Sequence, residues 1–144
     1  MARALERARE ARVRGEVPVG AVLVWGGRIL AEGRNQTREL TDPTAHAEIV
    51  ALREGARQLG DWRLLDTTLY VTVEPCGQCA GAIVLARVPR VVYGTPDPKA
   101  GMAGSLGNLL QDPRLNHRAR VTAGVLEEAA GSLLRGFFEE RREP

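Results

Sequence analysis

The sequence predicts an α/β fold, a mixed β-sheet with helices on both faces. Three observations predict it. Short segments rich in valine, leucine and threonine alternate with longer stretches whose apolar residues recur every three or four positions. The run from Thr67 to Gly94 reads as strand–helix–strand, the unit that makes a parallel strand pair with a right-handed crossover. Gly26-Gly27 lies between two strand-like segments and reads as a hairpin, which makes an antiparallel pair. A sheet with both kinds of pairing buries its two faces under helices.

Taken in order, the chain opens with a helix over about 2–14, where arginine, alanine and glutamate alternate as on a surface helix. Strands over about 19–25 and 28–34 flank the Gly26-Gly27 turn. Asp42-Pro43-Thr44 reads as a helix start, with Asp42 or Thr44 as cap and Pro43 at the first helical position. Ile49, Leu52, Ala56 and Leu59 continue that helix over about 44–59, and Gly60 stops it. A strand over about 67–73, carrying Val71-Thr72-Val73, leads into a helix from Cys76 to Arg87 and a strand over about 90–94. Thr95 to Leu106 is rich in Gly and Pro and reads as an irregular loop at a strand end, where α/β sheets place binding surfaces. A short helix, a strand over about 119–123 and a helix over about 125–141 complete the expected order. At 144 residues the chain suits a single domain spanning 1–144.

Composition narrows the classes of function. Apolar content of 44% and charged content of 26% are those of an ordinary globular protein. No apolar run approaches the ~20 residues of a membrane span, and Met1 to Arg14 lacks the apolar core of a secretory signal. The expectation is a cytoplasmic protein without a membrane partner, its thiols reduced and available to a metal. A net charge of +2 neither demands nor excludes nucleic acid. Of the 20 basic side chains only Lys99 is a lysine, and arginine suits phosphate contacts.

The chemistry concentrates in two short segments, His46-Ala47-Glu48 and Pro75-Cys76-Gly77-Gln78-Cys79. They hold one of the two histidines and both cysteines of the chain. Zinc takes four tetrahedral ligands; a structural site fills all four from protein, and a catalytic site fills three and leaves one for water. His46, Cys76 and Cys79 make three. His117 is the other histidine and a conceivable fourth ligand, though it sits in a polar stretch with no second ligand near it. Cys76 and Cys79, three apart at a helix start, share a face, and a helix N-terminus stabilises thiolates. Alone, Glu48 reads as a first-turn acid favoured by the helix dipole. Beside a metal ligand it has a second use, taking a proton from a zinc-activated water and handing it to a leaving nitrogen.

H-x-E followed by P-C-x-x-C resembles the signature of the zinc-dependent nucleoside and nucleobase deaminases. Within them the chain is similar to the subfamily that acts on adenosine in bacterial tRNA. The similarity runs through Glu16 to Val22, Asn35, Asp42 to Glu48, Gly94 to Lys99, Gly104 to Leu106, Asn116-His117-Arg118 and Phe137-Phe138. The resemblance implies a cytidine-deaminase-like three-layer α/β/α sandwich around a five-stranded mixed sheet. It implies one zinc per subunit held by His46, Cys76 and Cys79, with Glu48 as the catalytic carboxylate. The activity implied is hydrolysis of adenosine to inosine at the wobble position of a tRNA anticodon stem-loop, by a homodimer. The resemblance places Asn35 against the purine, Val17 and Ala45 in the pocket wall, and Asp97 and Lys99 near the RNA backbone. On residues alone, Asn35 reads as a turn residue after a strand and Asp97 as a loop residue between prolines.

Three other readings share parts of this pattern. A deaminase of free guanine or cytosine uses the same zinc apparatus. A strand followed by Cys-x-x-Cys at a helix start is also the thioredoxin arrangement, though that gives His46 and Glu48 no role. A non-catalytic RNA-binding module with a structural zinc needs no Glu48.

Overall fold

A computed structural model of the protein describes residues 1–142; residues 143 and 144, the end of the expected domain, lie outside the described residues. The elements are α1 (Ala2–Val13), β1 (Gly20–Trp25), β2 (Arg28–Arg34), α2 (Ala47–Leu59), β3 (Thr67–Val73), α3 (Gly77–Leu85), β4 (Arg90–Thr95), β5 (Arg120–Thr122) and α4 (Glu127–Arg142). The five strands form one sheet in the order β2-β1-β3-β4-β5. β1 pairs antiparallel with β2 and β3, and β3–β4 and β4–β5 pair parallel, so the sheet is mixed. Trp25 opposes Arg28 across a two-residue turn. Gly26 and Gly27 both take left-handed φ, 59° and 74°, the conformation a tight hairpin turn requires.

Side-chain alternation divides the sheet into two faces. Ala21, Leu23, Leu69, Val71, Val91 and Tyr93 pack with Ala47, Ala51 and Leu52 of α2 and Ala80, Ile83 and Val84 of α3 in one buried cluster. α1 and α4 cover the other face, α1 through Ala4, Leu5, Ala8 and Ala11, and α4 through Ala130 and Phe137. The result is the three-layer α/β/α sandwich. β4, with parallel neighbours on both sides, is buried from Val91 to Gly94, as a strand covered on both faces must be.

Three local expectations are corrected. α2 begins at Ala47 with His46 as N-cap, not at Asp42-Pro43-Thr44. The capping oxygen is already engaged: Asp42 Oδ1 accepts the Thr44 amide (2.8 Å) and hydroxyl (2.7 Å), closing a side-chain turn and leaving His46 extended at φ −73°, ψ 156°. α3 begins at Gly77, with Cys76 as its N-cap. The short helix expected between β4 and β5 is absent; turns and two isolated bridges, Cys76–Gly101 and Ala103–Asn108, take its place.

Candidate metal centre and catalytic pocket

Two helix N-termini meet at the C-terminal end of β3. His46 caps α2 and Cys76 caps α3, so the imidazole and the first thiol leave from extended residues where each chain turns into its helix. Cys79 sits in the first turn of α3, fully buried. His46 Nδ1 lies 3.5 Å from Cys76 Sγ and 3.4 Å from Cys79 Sγ, and the three donor atoms all lie within 4.8 Å of one another. Tetrahedral zinc with bonds of about 2.3 Å to sulfur and about 2.05 Å to nitrogen separates those donors by about 3.6 Å. The two nitrogen–sulfur spacings match, so this donor set fits zinc. His117 takes no part: its Nε2–H donates to the Val88 carbonyl at 2.7 Å. Among the described residues the grouped donors are these three.

The electrostatics suit a metal. Without one, the two thiols compete for a single ionisation. Hydrogen bonds from Cys79 and then from His46 push Cys76 down to about 3, and Cys76 together with burial pushes Cys79 up. The Cys76 hydrogen bond raises the His46 imidazole above its usual value. A bound zinc reverses that competition, since both thiols and the imidazole ligate in deprotonated form. Glu48, in the first turn of α2, is almost fully buried, and burial pushes its carboxyl up to about 7.

A pocket of about 280 Å³ opens over these groups, just below the range of about 300–1,000 Å³ usual for small-molecule sites. Its wall includes His46, Glu48 and Cys76, apolar contributions from Val17, Val19, Ala47 and Val73, and the polar side chains of Asn35, Thr37, Glu74 and Asp97. Asn35 is buried beyond the end of β2, where its backbone N–H donates to the Val19 carbonyl at 3.1 Å. Ala45, expected in the pocket wall, is fully buried one residue before His46 and does not line the pocket; Ala47 contributes that part of the wall. Asp97 lies on the wall, but its Oδ1 accepts the Lys99 and Ala100 amides at 3.1 and 3.2 Å. Lys99 lies in an adjoining groove with Pro96, Pro98, Arg135 and Phe138. Sequence reasoning missed Val19, Thr37, Val73 and Glu74 as wall residues. The one available signal was Glu74, an acid ending an apolar strand just before Pro75-Cys76.

A family model described as the cytidine and deoxycytidylate deaminase zinc-binding region matches residues 1–95. The chain belongs to that family. A tRNA-specific adenosine deaminase of Bacillus subtilis (strain 168) is 51% identical over 142 residues, covering 99% of this chain and 88% of the relative. A solved structure from studies of A-to-I editing by tRNA:A34 deaminases at the wobble position of transfer RNA superposes with a TM-score of 0.88. It shares 46% identity over 91% of this chain and 95% of its own. A guanine deaminase from Bacillus subtilis superposes with a TM-score of 0.65 at 34% identity, covering 99% of this chain and 92% of its own. The chain is therefore a deaminase-family enzyme with a zinc site at His46, Cys76 and Cys79.

Proposed function

We propose that the protein deaminates adenosine to inosine at the wobble position of tRNA. Similarity along almost the whole chain to a tRNA-specific adenosine deaminase carries the substrate, at 51% identity against 34% for the guanine deaminase. Zinc, when bound by His46, Cys76 and Cys79, supplies a water acidic enough to attack near neutral pH. The chain's own residues do the rest. Glu48 lies on the pocket wall beside His46 and Cys76. It accepts one proton of the attacking water and delivers it to N1 of the purine as C6 becomes tetrahedral, then takes the proton of the new C6 hydroxyl and passes it to the departing amino group. Water and adenosine become inosine and ammonia. Asn35 offers a side-chain amide to the base edge, and Val17, Val19 and Val73 exclude water around the ring. Ala45, fully buried one residue before His46, leaves the wall itself to Ala47. Asp97 shapes the loop at the rim, and Lys99 meets the phosphates of flanking nucleotides. A base must leave its stack to enter so small a pocket, which costs less in an anticodon stem-loop than in a duplex.

In this reading the chain works as one deaminase domain and as a homodimer, in the cytoplasm where its tRNA is. No described helix is long and apolar enough to cross a membrane. The dimer is supported by an apolar groove of Ile49, Leu52, Ala56 and Ala82 flanked by the exposed Trp62 and Leu85. The deciding experiment incubates the zinc-loaded protein with a tRNA carrying adenosine at the wobble position and assays inosine at that nucleotide. Inosine there, with no turnover of free guanine, is expected. Robust guanine turnover without tRNA activity would overturn the assignment in favour of a free-base deaminase.

A further inference from the structure

Glu74 directly follows β3, two residues before Cys76, and is only 2% exposed. A buried carboxyl group is costly unless its oxygens are well bonded. Here one loop supplies four donors. Oε1 accepts the Asp97 amide at 3.0 Å and the Ser105 hydroxyl, and Oε2 accepts the Ala103 and Ser105 amides, each at 3.0 Å. The loop closes so tightly around the carboxylate that a Cβ on Gly101 would collide with it. The same loop is stitched to the turn that carries the cysteine. The Met102 amide donates to the Pro75 carbonyl at 2.8 Å, and Gly101 bridges to Cys76. No regular element partners these amides, so the carboxylate is the organising acceptor of the segment. The segment contributes Asp97 and Ala100 to the pocket wall and Lys99 to the adjoining groove. Glu74 faces the pocket as well, but the metal donors are complete without it.

We propose that Glu74 is a positioning residue that fastens the 97–105 loop to the cysteine-bearing turn, and through that loop sets how tightly substrate is held. Its kinetic consequence rests on the adenosine-deaminase reading; its structural consequence does not. Glutamine has the same shape, but its NH2 replaces one acceptor with a donor that opposes N–H or O–H groups. Glu74→Gln therefore releases part of the loop without opening a cavity.

The test uses zinc-loaded Glu74→Gln, the milder Ser105→Ala, and the unaltered protein. Three quantities are measured: zinc per chain, amide hydrogen exchange, and steady-state kinetics on a tRNA anticodon stem-loop. Glu74→Gln should keep one zinc per chain. Exchange at the amides of Asp97, Ala103 and Ser105 should accelerate by about tenfold or more, the scale of one lost hydrogen bond to a charged group, while Val71 and Val91 in the sheet stay protected. KM should rise about tenfold with kcat within about threefold, and Ser105→Ala should move both readouts the same way by less. Unchanged loop exchange, loss of zinc, or a fall in kcat at constant KM would each overturn the proposal. If the unaltered protein fails to act on the stem-loop, the functional reading is what fails, and exchange with zinc content then decides the role of Glu74.

Discussion

Replacing Glu16 with alanine should loosen the loop that runs from Asn35 to His46. The Glu16 side chain is 1% exposed. Its Oε1 accepts the Arg38 amide at 3.1 Å and the Thr37 hydroxyl at 3.4 Å, and its Oε2 accepts the Glu39 amide at 2.8 Å. Each donor left without an acceptor costs roughly 1–3 kcal/mol when buried. Two amides would set a cost of about 2–6 kcal/mol, but Arg38 and Glu39 are themselves exposed, and water rehydrates them once the loop opens. The lower part of the range applies, about 2–3 kcal/mol. For a domain of this size that lowers Tm by about 5–10 °C. Urea unfolding of the zinc-loaded protein measures the loss, and Glu16→Gln, which keeps an accepting oxygen, should lose less. Because Thr37 lines the pocket, KM for the stem-loop should rise while zinc content stays constant. A Glu16→Ala variant within about 0.5 kcal/mol of the unaltered protein would refute this account of the loop.

Other outcomes follow from the same geometry. Cys76→Ala should abolish stoichiometric zinc, measured by elemental analysis, and remove the metal's stabilisation, about 2.7 kcal/mol when zinc stands at 100 times its Kd. Ile83→Ala, fully buried between α3 and the sheet, should cost about 2–5 kcal/mol in urea unfolding. Arg34 and then Gln36 hold the Glu39 carboxylate down to about 2. The folded value lies below the ordinary one of 4.5, so this carboxylate stabilises the fold fully above pH 4.5 and ceases to as pH falls through about 2. Acid titration of stability should be shallower in Glu39→Gln over that window, and the difference should shrink at high salt because the group is exposed.

Where a residue's partners are close in sequence, the fold could be read in advance. The Gly26-Gly27 hairpin and the Gly60 stop of α2, which takes φ 67°, depend on neighbours alone. The zinc set was legible for a different reason: with two cysteines and two histidines in the chain, few combinations could satisfy a metal. The start of α2 was misread because Asp42 is a good cap in isolation, and the Thr44 amide and hydroxyl claim its oxygen. The irregular loop expected over Thr95 to Leu106 forms, held by Glu74, which accepts amides of residues 23, 29 and 31 positions away. The short helix expected between that loop and β5 does not form: the Leu109 and Ala119 amides donate to the Met102 and Leu110 carbonyls. The imidazole of His117 is likewise explained by Val88, 29 positions back. Such long-range pairings leave no periodic trace, which is why the partners of Glu74 and the wall residues Val19, Thr37 and Val73 emerged only from the folded chain.

In the proposed reaction Glu48 moves the protons of a hydrolysis on adenosine beside a zinc held by His46, Cys76 and Cys79. Its most direct test is single-turnover deamination of a wobble-adenosine tRNA by zinc-loaded Glu48→Ala. The variant should keep one zinc per chain and its tRNA binding, and form inosine more slowly by about 10²–10⁴-fold or more. Inosine formed at a near-normal rate by a zinc-replete variant would contradict it.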